Sequence, residues 1–261
     1  MPVRVGLQLQ PQHADFDAMR RAWVEAEEIG VDTIFTWDHF FPLSGDADGK
    51  HFEAIAMLGS MAEVTERAQI GALVICNSYR NPELLAHAHV TVDHASGGRA
   101  ILGIGAGWFQ RDYDEYGYEF GEARDRVRDL RHALPRIKER LGKINPPPVN
   151  GKLPILVAGS GEQVMLKLVA QYADMWHNFG DPERFKHKHE VLLRHCEDVG
   201  RDPSEIEIAW GAHSGLMDHA DDFVAAGVSH VIVGIGGDGH GYDLGALREL
   251  IAWRDRMNAQ G

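Results

Sequence analysis

The chain has 261 residues, 44% of them apolar, enough to bury a full core without disulfide or metal staples. A net charge of −13 argues against nucleic acid or an anionic membrane as the main partner. No stretch approaches the ~20 apolar residues of a membrane span, Cys76 and Cys196 form no C-x-x-C pair, and "MPVRVGLQLQ" alternates like a strand rather than a secretory signal. A soluble cytoplasmic protein is the expectation.

One unit recurs along the chain: a charged helical stretch, a small or polar stop, then a short β-branched run, as in "EAEEIGVDTIFTW" and "FVAAGVSHVIVGI". The runs place strands at 3–9, 32–37, 69–75, 99–105, 153–158, 173–177, 206–210 and 229–234. Helical patterns fill the gaps at 15–29, 51–65, 82–95, 121–141, 161–171, 183–199, 218–226 and 243–258. Strict alternation implies right-handed crossovers and a parallel sheet, and eight units at this length favour a closed (β/α)8 TIM barrel over an open doubly wound sheet. One domain spanning 1–261 is expected, with the proline-rich connection at 142–152 its one low-complexity feature. In such a barrel, sites form where strands end, so loops after strands are candidates and loops before them are scaffold.

"TIFTWDHFF" (33–41) carries Asp38 and His39 directly past the second strand, between Trp37 and Phe40. A histidine there moves protons near neutral pH, and an adjacent carboxylate can fix its tautomer. The other two Asp-His pairs are internal controls. Asp93-His94 falls in the last turn of the third helix, and Asp218 reads as an N-cap of the seventh. The plain alternative for Asp38-His39 is a cap or salt bridge in a surface loop.

"AILGIGAGWFQRDYDEYGYEF" (100–120) leaves the fourth strand through Gly103, Gly105 and Gly107. It fails as a dinucleotide fingerprint, and reads instead as backbone kept bare so that a flat ligand can lie against it. Trp108 and the tyrosines that follow either cover a site or bury themselves in an Ω-loop. Arg111 is a candidate cation for an anionic substrate or cofactor group. "PILVAGSGEQVMLKLVAQ" (154–171) is a strand, a turn at Gly159, Ser160 and Gly161, then an amphipathic helix. Its free N–H groups suit a phosphate, although a Ser160–Gln163 capping box would use them without a ligand. Fifteen histidines raise a metal question, but "HAH" (87–89) and "HKH" (187–189) lie on helices, read as solvated faces, and no metal site is assigned.

Together, "TWDHFFP", the block at 71–108 and the block at 154–178 resemble the luciferase-like monooxygenase superfamily, and within it the branch that uses the deazaflavin coenzyme F420. The resemblance covers nearly the whole chain. It implies a TIM barrel holding F420 across the strand ends, with His39 as acid/base residue and Asp38 as its positioner and a cofactor contact. Gly159, Ser160 and Gly161 would meet the ribityl-phosphate portion. A non-proline cis peptide supporting the ring would fall near Ala72-Leu73, with Gly107, Asn77, Trp176 and Asn178 around the cofactor. Trp37, Trp108 and Arg111 would shape the substrate pocket. Trp108 stands where some members carry a glutamate proton donor, which argues against a sugar-phosphate dehydrogenase. The expected function is hydride transfer between F420 and a small organic substrate, in a homodimer. The alternatives are an FMN-dependent monooxygenase of the same fold and a non-catalytic F420-binding protein.

Overall fold

A computed structural model describes residues 2–212 and 219–260. Nine parallel strands form one sheet: β1 (Arg4–Leu9), β2 (Thr33–Thr36), β3 (Gln69–Ala72), β4 (Ile75–Cys76), β5 (Ala100–Gly105), β6 (Ile155–Ala158), β7 (Met175–Asn178), β8 (Glu207–Ala212) and β9 (His230–Ile235). Their order is β3-β2-β1-β9-β8-β7-β6-β5-β4, and a further pairing of β3 with β5 closes the ring. β3 and β4 share one barrel position, so the architecture is an eight-position (β/α)8 barrel. The single strand expected at 69–75 is interrupted at a cis peptide between Leu73 and Val74, one residue beyond the expected Ala72-Leu73 bond.

Helices α1 (Phe16–Ile29), α2 (Ala54–Val64), α3 (Pro82–Ala95), α4 (Gln110–Tyr116), α5 (Ala123–Leu141), α6 (Met165–Tyr172), α7 (Pro182–Val199), α8 (Ala220–Ala225) and α9 (Gly245–Gln260) surround it. α4 falls inside the stretch read as an aromatic-acidic loop. Asp218, read as an N-cap, lies outside the described residues. The Asp93-His94 control pair is scaffold: Asp93 accepts from Val149 N at 2.8 Å, and His94 Nε2 meets Pro147 O at 2.9 Å. Both anchor the proline-rich connection. Among the described residues, no helix is long and apolar enough to cross a membrane.

The larger apolar cluster, including Trp23, Trp176 and Trp210, fills the shell between strands and helices. A smaller cluster (Phe35, Leu73, Ile101, Leu156, Met175, Ala209 and Ile232) fills the barrel interior. Alternation along the strands then puts Ala158, Gly211 and Gly234 at inward positions one step nearer the strand C-termini, and Gly105 two steps beyond Ile101. Such small residues cannot fill the barrel, so its mouth is a bowl. At the opposite end Arg4 binds Glu207 at 2.9 Å and Thr33 Oγ1 meets His230 Nε2 at 2.8 Å, which plugs the base.

Candidate active site

The bowl is a cavity of about 620 Å³ at the C-terminal ends of the strands, within the range of small-molecule sites. Trp37, Asp38 and His39 enter it directly from the end of β2, and Gly159 and Ser160 border it from the turn after β6. The imidazole of His39 stands among the rings of Trp37, Trp108 and Phe109, at centroid separations of 5.9, 5.7 and 5.5 Å and steep interplanar angles.

His39 Nδ1 lies 2.7 Å from Asp112 Oδ2. Asp112 is fully buried in the first turn of α4, and also accepts from Tyr79 Oη at 2.9 Å and from Phe40 N at 3.0 Å. A carboxylate so placed holds the proton on Nδ1 and leaves Nε2 for chemistry. Burial, reinforced by Cys76 and Asp112 nearby, pushes the Tyr79 phenol far above its usual range, so it donates and stays protonated. Behind Trp37, its indole N–H donates to His51 Nε2 at 2.8 Å. Burial first, then the neighbouring His39, brings His51 down to about 4, so at neutral pH it is an uncharged acceptor.

Asp38 borders the cavity, as expected of a cofactor contact, but its carboxylate bonds elsewhere than to the imidazole. Its carboxylate receives both Nη atoms of Arg80, at 2.6 and 2.9 Å, and Cys76 N at 3.0 Å. Arg80 also pairs with Glu53. Burial works against the Arg80 charge, but its bonds to Asp38 and Glu53 outweigh burial and hold its pKa above the ordinary arginine value. Asp38 therefore ties the end of β2 to the end of β4, and Asp112 positions the imidazole.

On the far wall, Gly159 has φ +141°, and a Cβ there would come within 2.9 Å of Met165 Cε. Trp176 Nε1 donates to Gly159 O at 2.8 Å, and Gly159 N donates to His177 O at 3.2 Å. The Ser160–Gln163 capping box does not form. α6 begins at Met165, and Val164 at its cap position makes no side-chain bond. Glu162 pairs with Lys188 at 2.5 Å and His187 at 3.1 Å.

The profile of the luciferase-like monooxygenase family matches residues 1–232. The chain belongs to that family. Over 118 residues this luciferase-like chain is 37% identical to an F420-dependent glucose-6-phosphate dehydrogenase of Amycolatopsis mediterranei, a match covering 44% of the chain and 35% of that relative. Over 176 residues it is 33% identical to a phthiodiolone/phenolphthiodiolone dimycocerosates ketoreductase of Mycobacterium bovis, covering 60% and 45%. The matched segments thus span less than half the length of these relatives. Among solved structures, an F420-dependent secondary alcohol dehydrogenase carrying an F420-acetone adduct superimposes with a TM-score of 0.80 at 16% identity, covering 92% of this chain and 94% of the other. The coenzyme F420-dependent tetrahydromethanopterin reductase of Methanopyrus kandleri gives 0.76 at 16%, covering 97% and 98%.

Of the residues singled out in the sequence, Trp37, Asp38, His39, Leu73, Gly107, Trp108, Gly159, Ser160 and Asn178 border one cavity. Ala72, Asn77, Gly161, Trp176 and Arg111 stand off it. Trp176 is buried in the outer shell against Phe185, and reaches the site only through its bond to Gly159. Arg111 lies over the Phe41 ring at 4.0 Å and binds Ala47 O and Asp48, clamping the loop after β2 to α4 instead of facing a ligand. Tyr113 and Tyr118 are packing: Tyr113 is fully buried, and with Cys76 and Tyr79 it forms a cluster that Phe40, Tyr118 and Phe120 cover, while Tyr116 stacks on Phe40 from an exposed position. His89, read as part of a solvated face, is also buried, bonding Leu85 O at 3.1 Å. Among the described residues, no group of three His, Cys, Asp or Glu side chains is arranged to hold a metal.

Asp112, Tyr79 and Arg80 were missed. Asp112 had one local signal, an acidic residue in the first turn of a helix, and that helix was read as loop. Gly211 and Gly234 carried a signal too: inward glycines near strand ends, of the kind noticed only after the fourth strand.

Proposed function

We propose that this chain is an oxidoreductase that transfers a hydride between coenzyme F420 and a small organic substrate. The observation that carries the reading is one cavity bordered on one side by His39, braced by Asp112, and on the other by the Gly159–Ser160 turn. The names of the relatives and of the structural neighbours point to the same coenzyme.

The residues present fit such a group. Inward glycines let backbone approach a flat ring. Asn178 Nδ2 is a buried donor with no partner among the described residues, on the cavity wall, and suits a ring carbonyl. The uncapped start of α6 behind Ser160 suits a phosphodiester. When bound, F420 supplies the two-electron hydride chemistry; orientation, water exclusion and protons are the protein's part. His39 gives or takes a proton at Nε2 while Asp112 holds Nδ1. The buried Trp37 and the more exposed Trp108 flank the ring, and Asp38 fixes the backbone that carries it. The same reading includes a single barrel domain, a cytoplasmic location and a homodimer. Both cysteines are buried and unpaired, in keeping with a reducing compartment.

Anaerobic titration with F420 and with FMN separates this reading from a flavin monooxygenase. His39→Ala is expected to bind F420 within about threefold of the parent and to lose roughly 10²–10⁴ in kcat. Unchanged turnover would remove the acid/base role.

A further inference from the structure

The described lining of the cavity lacks a permanent cation. Among the described residues no Lys or Arg lines it, and the segment 213–218, His-Ser-Gly-Leu-Met-Asp, contains none. Three cations on the segments following β4 and β5, Arg80, Arg111 and Arg126, are committed to protein oxygens. Arg80 holds Asp38 and Glu53. Arg111 holds Ala47 O and Asp48. Arg126 holds the carbonyls of Gly107, Phe120 and Gly121 at 3.0, 2.9 and 3.1 Å. Among the described residues the one lining carboxylate, Asp38, has both oxygens bonded. Trp37, Trp108 and Phe109 surround the His39 ring, and Leu43 and Val127 add apolar surface to the same cavity.

We propose that the space beside His39 takes a neutral, largely apolar ligand with a single oxygen function, a ketone or the secondary alcohol it forms, and rejects phosphorylated and carboxylated compounds. This names the substrate class of the oxidoreductase reading and rests on it. A carboxylate or phosphate brought against this wall loses its water and gains no cation, a burial without a partner that is strongly disfavoured. A neutral ketone loses little, and the hydroxyl of the secondary alcohol it interconverts with donates to the free Nε2 of His39. The chain would then differ in substrate from the relatives named for glucose 6-phosphate.

The test is calorimetric titration of the full chain, with and without saturating F420, against three probes. These are 4-methylacetophenone, 4-acetylbenzoate (the same outline with a carboxylate in place of the methyl group) and glucose 6-phosphate. The neutral ketone is expected to bind roughly 100-fold or more tightly than either anion. Val127→Lys, which adds a cation to the wall, should tighten both anions by about tenfold or more. A preference under tenfold in the parent protein, or no binding of any probe, overturns the proposal, and so does a folded Val127→Lys protein that gains nothing for either anion. If the variant does not fold, the comparison in the parent protein still decides. F420 binding is read separately from its absorbance. Its absence beside an intact ketone preference sinks the oxidoreductase reading and leaves the ligand class standing.

Discussion

Replacing Asp112 by Asn keeps the outline of the side chain and removes its charge, which makes it a sharp perturbation of the site. The carboxylate accepts three hydrogen bonds, from His39, Tyr79 and Phe40, at 2.7, 2.9 and 3.0 Å, and has no exposure to water. An amide has only one accepting oxygen, so at least one donor faces an N–H group. Bonds to a buried charge contribute about 1.5–3 kcal/mol each, and Asn keeps part of that, so a net loss of about 2–4 kcal/mol is expected. For a chain of this size that corresponds to a fall in Tm of roughly 5–15 °C. Turnover should fall by about 10²–10⁴, because nothing then holds the imidazole proton on Nδ1. Affinity for F420 should stay within about threefold. Thermal melts, F420 titration and steady-state rates below the melting range separate these effects. A variant that melts as expected yet keeps more than a third of parental kcat would refute the positioning role and reduce Asp112 to a structural anchor.

Asp38→Ala leaves the Arg80 guanidinium with one carboxylate in place of two; urea denaturation should register a loss of about 3 kcal/mol, and a loss below about 1 would show that Glu53 suffices. Trp176→Phe keeps the stack on Phe185 but deletes the 2.8 Å bond to Gly159 O. F420 should bind roughly 5–10-fold more weakly, with kcat little changed, and an unaltered Kd would disconnect Trp176 from the glycine turn. His89 is fully buried, and burial brings its pKa down to about 4. The unfolded chain, with an ordinary value of about 6.5, binds the proton first as pH falls. This site's contribution to stability is therefore present above that value and is lost between about 6.5 and 4. Between pH 7 and 5 the loss is about 2 kcal/mol. His89→Leu should erase that share of the pH dependence in urea midpoints measured at both pH values, and an unchanged slope would contradict it.

The order of strands and helices was legible because each unit carries local chemistry: a charged helix face, a small or polar stop and a β-branched run. Closure into a barrel followed from chain length and parallel pairing. The position of Asp38 and His39 at a strand's C-terminal end was equally local, as was the glycine turn at 159–161. Their partners were not. Asp112 meets His39 across 73 positions of sequence and Arg80 meets Asp38 across 42, and no spacing rule reaches so far. Hence the adjacent Asp38 looked like the natural holder of the imidazole. In fact, neighbouring side chains at the end of a strand leave it in different directions, so Asp38 turns to Arg80 while His39 finds a carboxylate on another element. Trp176 and Arg111 teach the same lesson from outside the cavity. Their residue types suited a pocket, but strand alternation sent Trp176 to the outer shell, and α4 carried Arg111 to the loop it clamps. Sequence fixes which groups are available and which strand end they occupy; the direction each side chain takes depends on packing between distant segments.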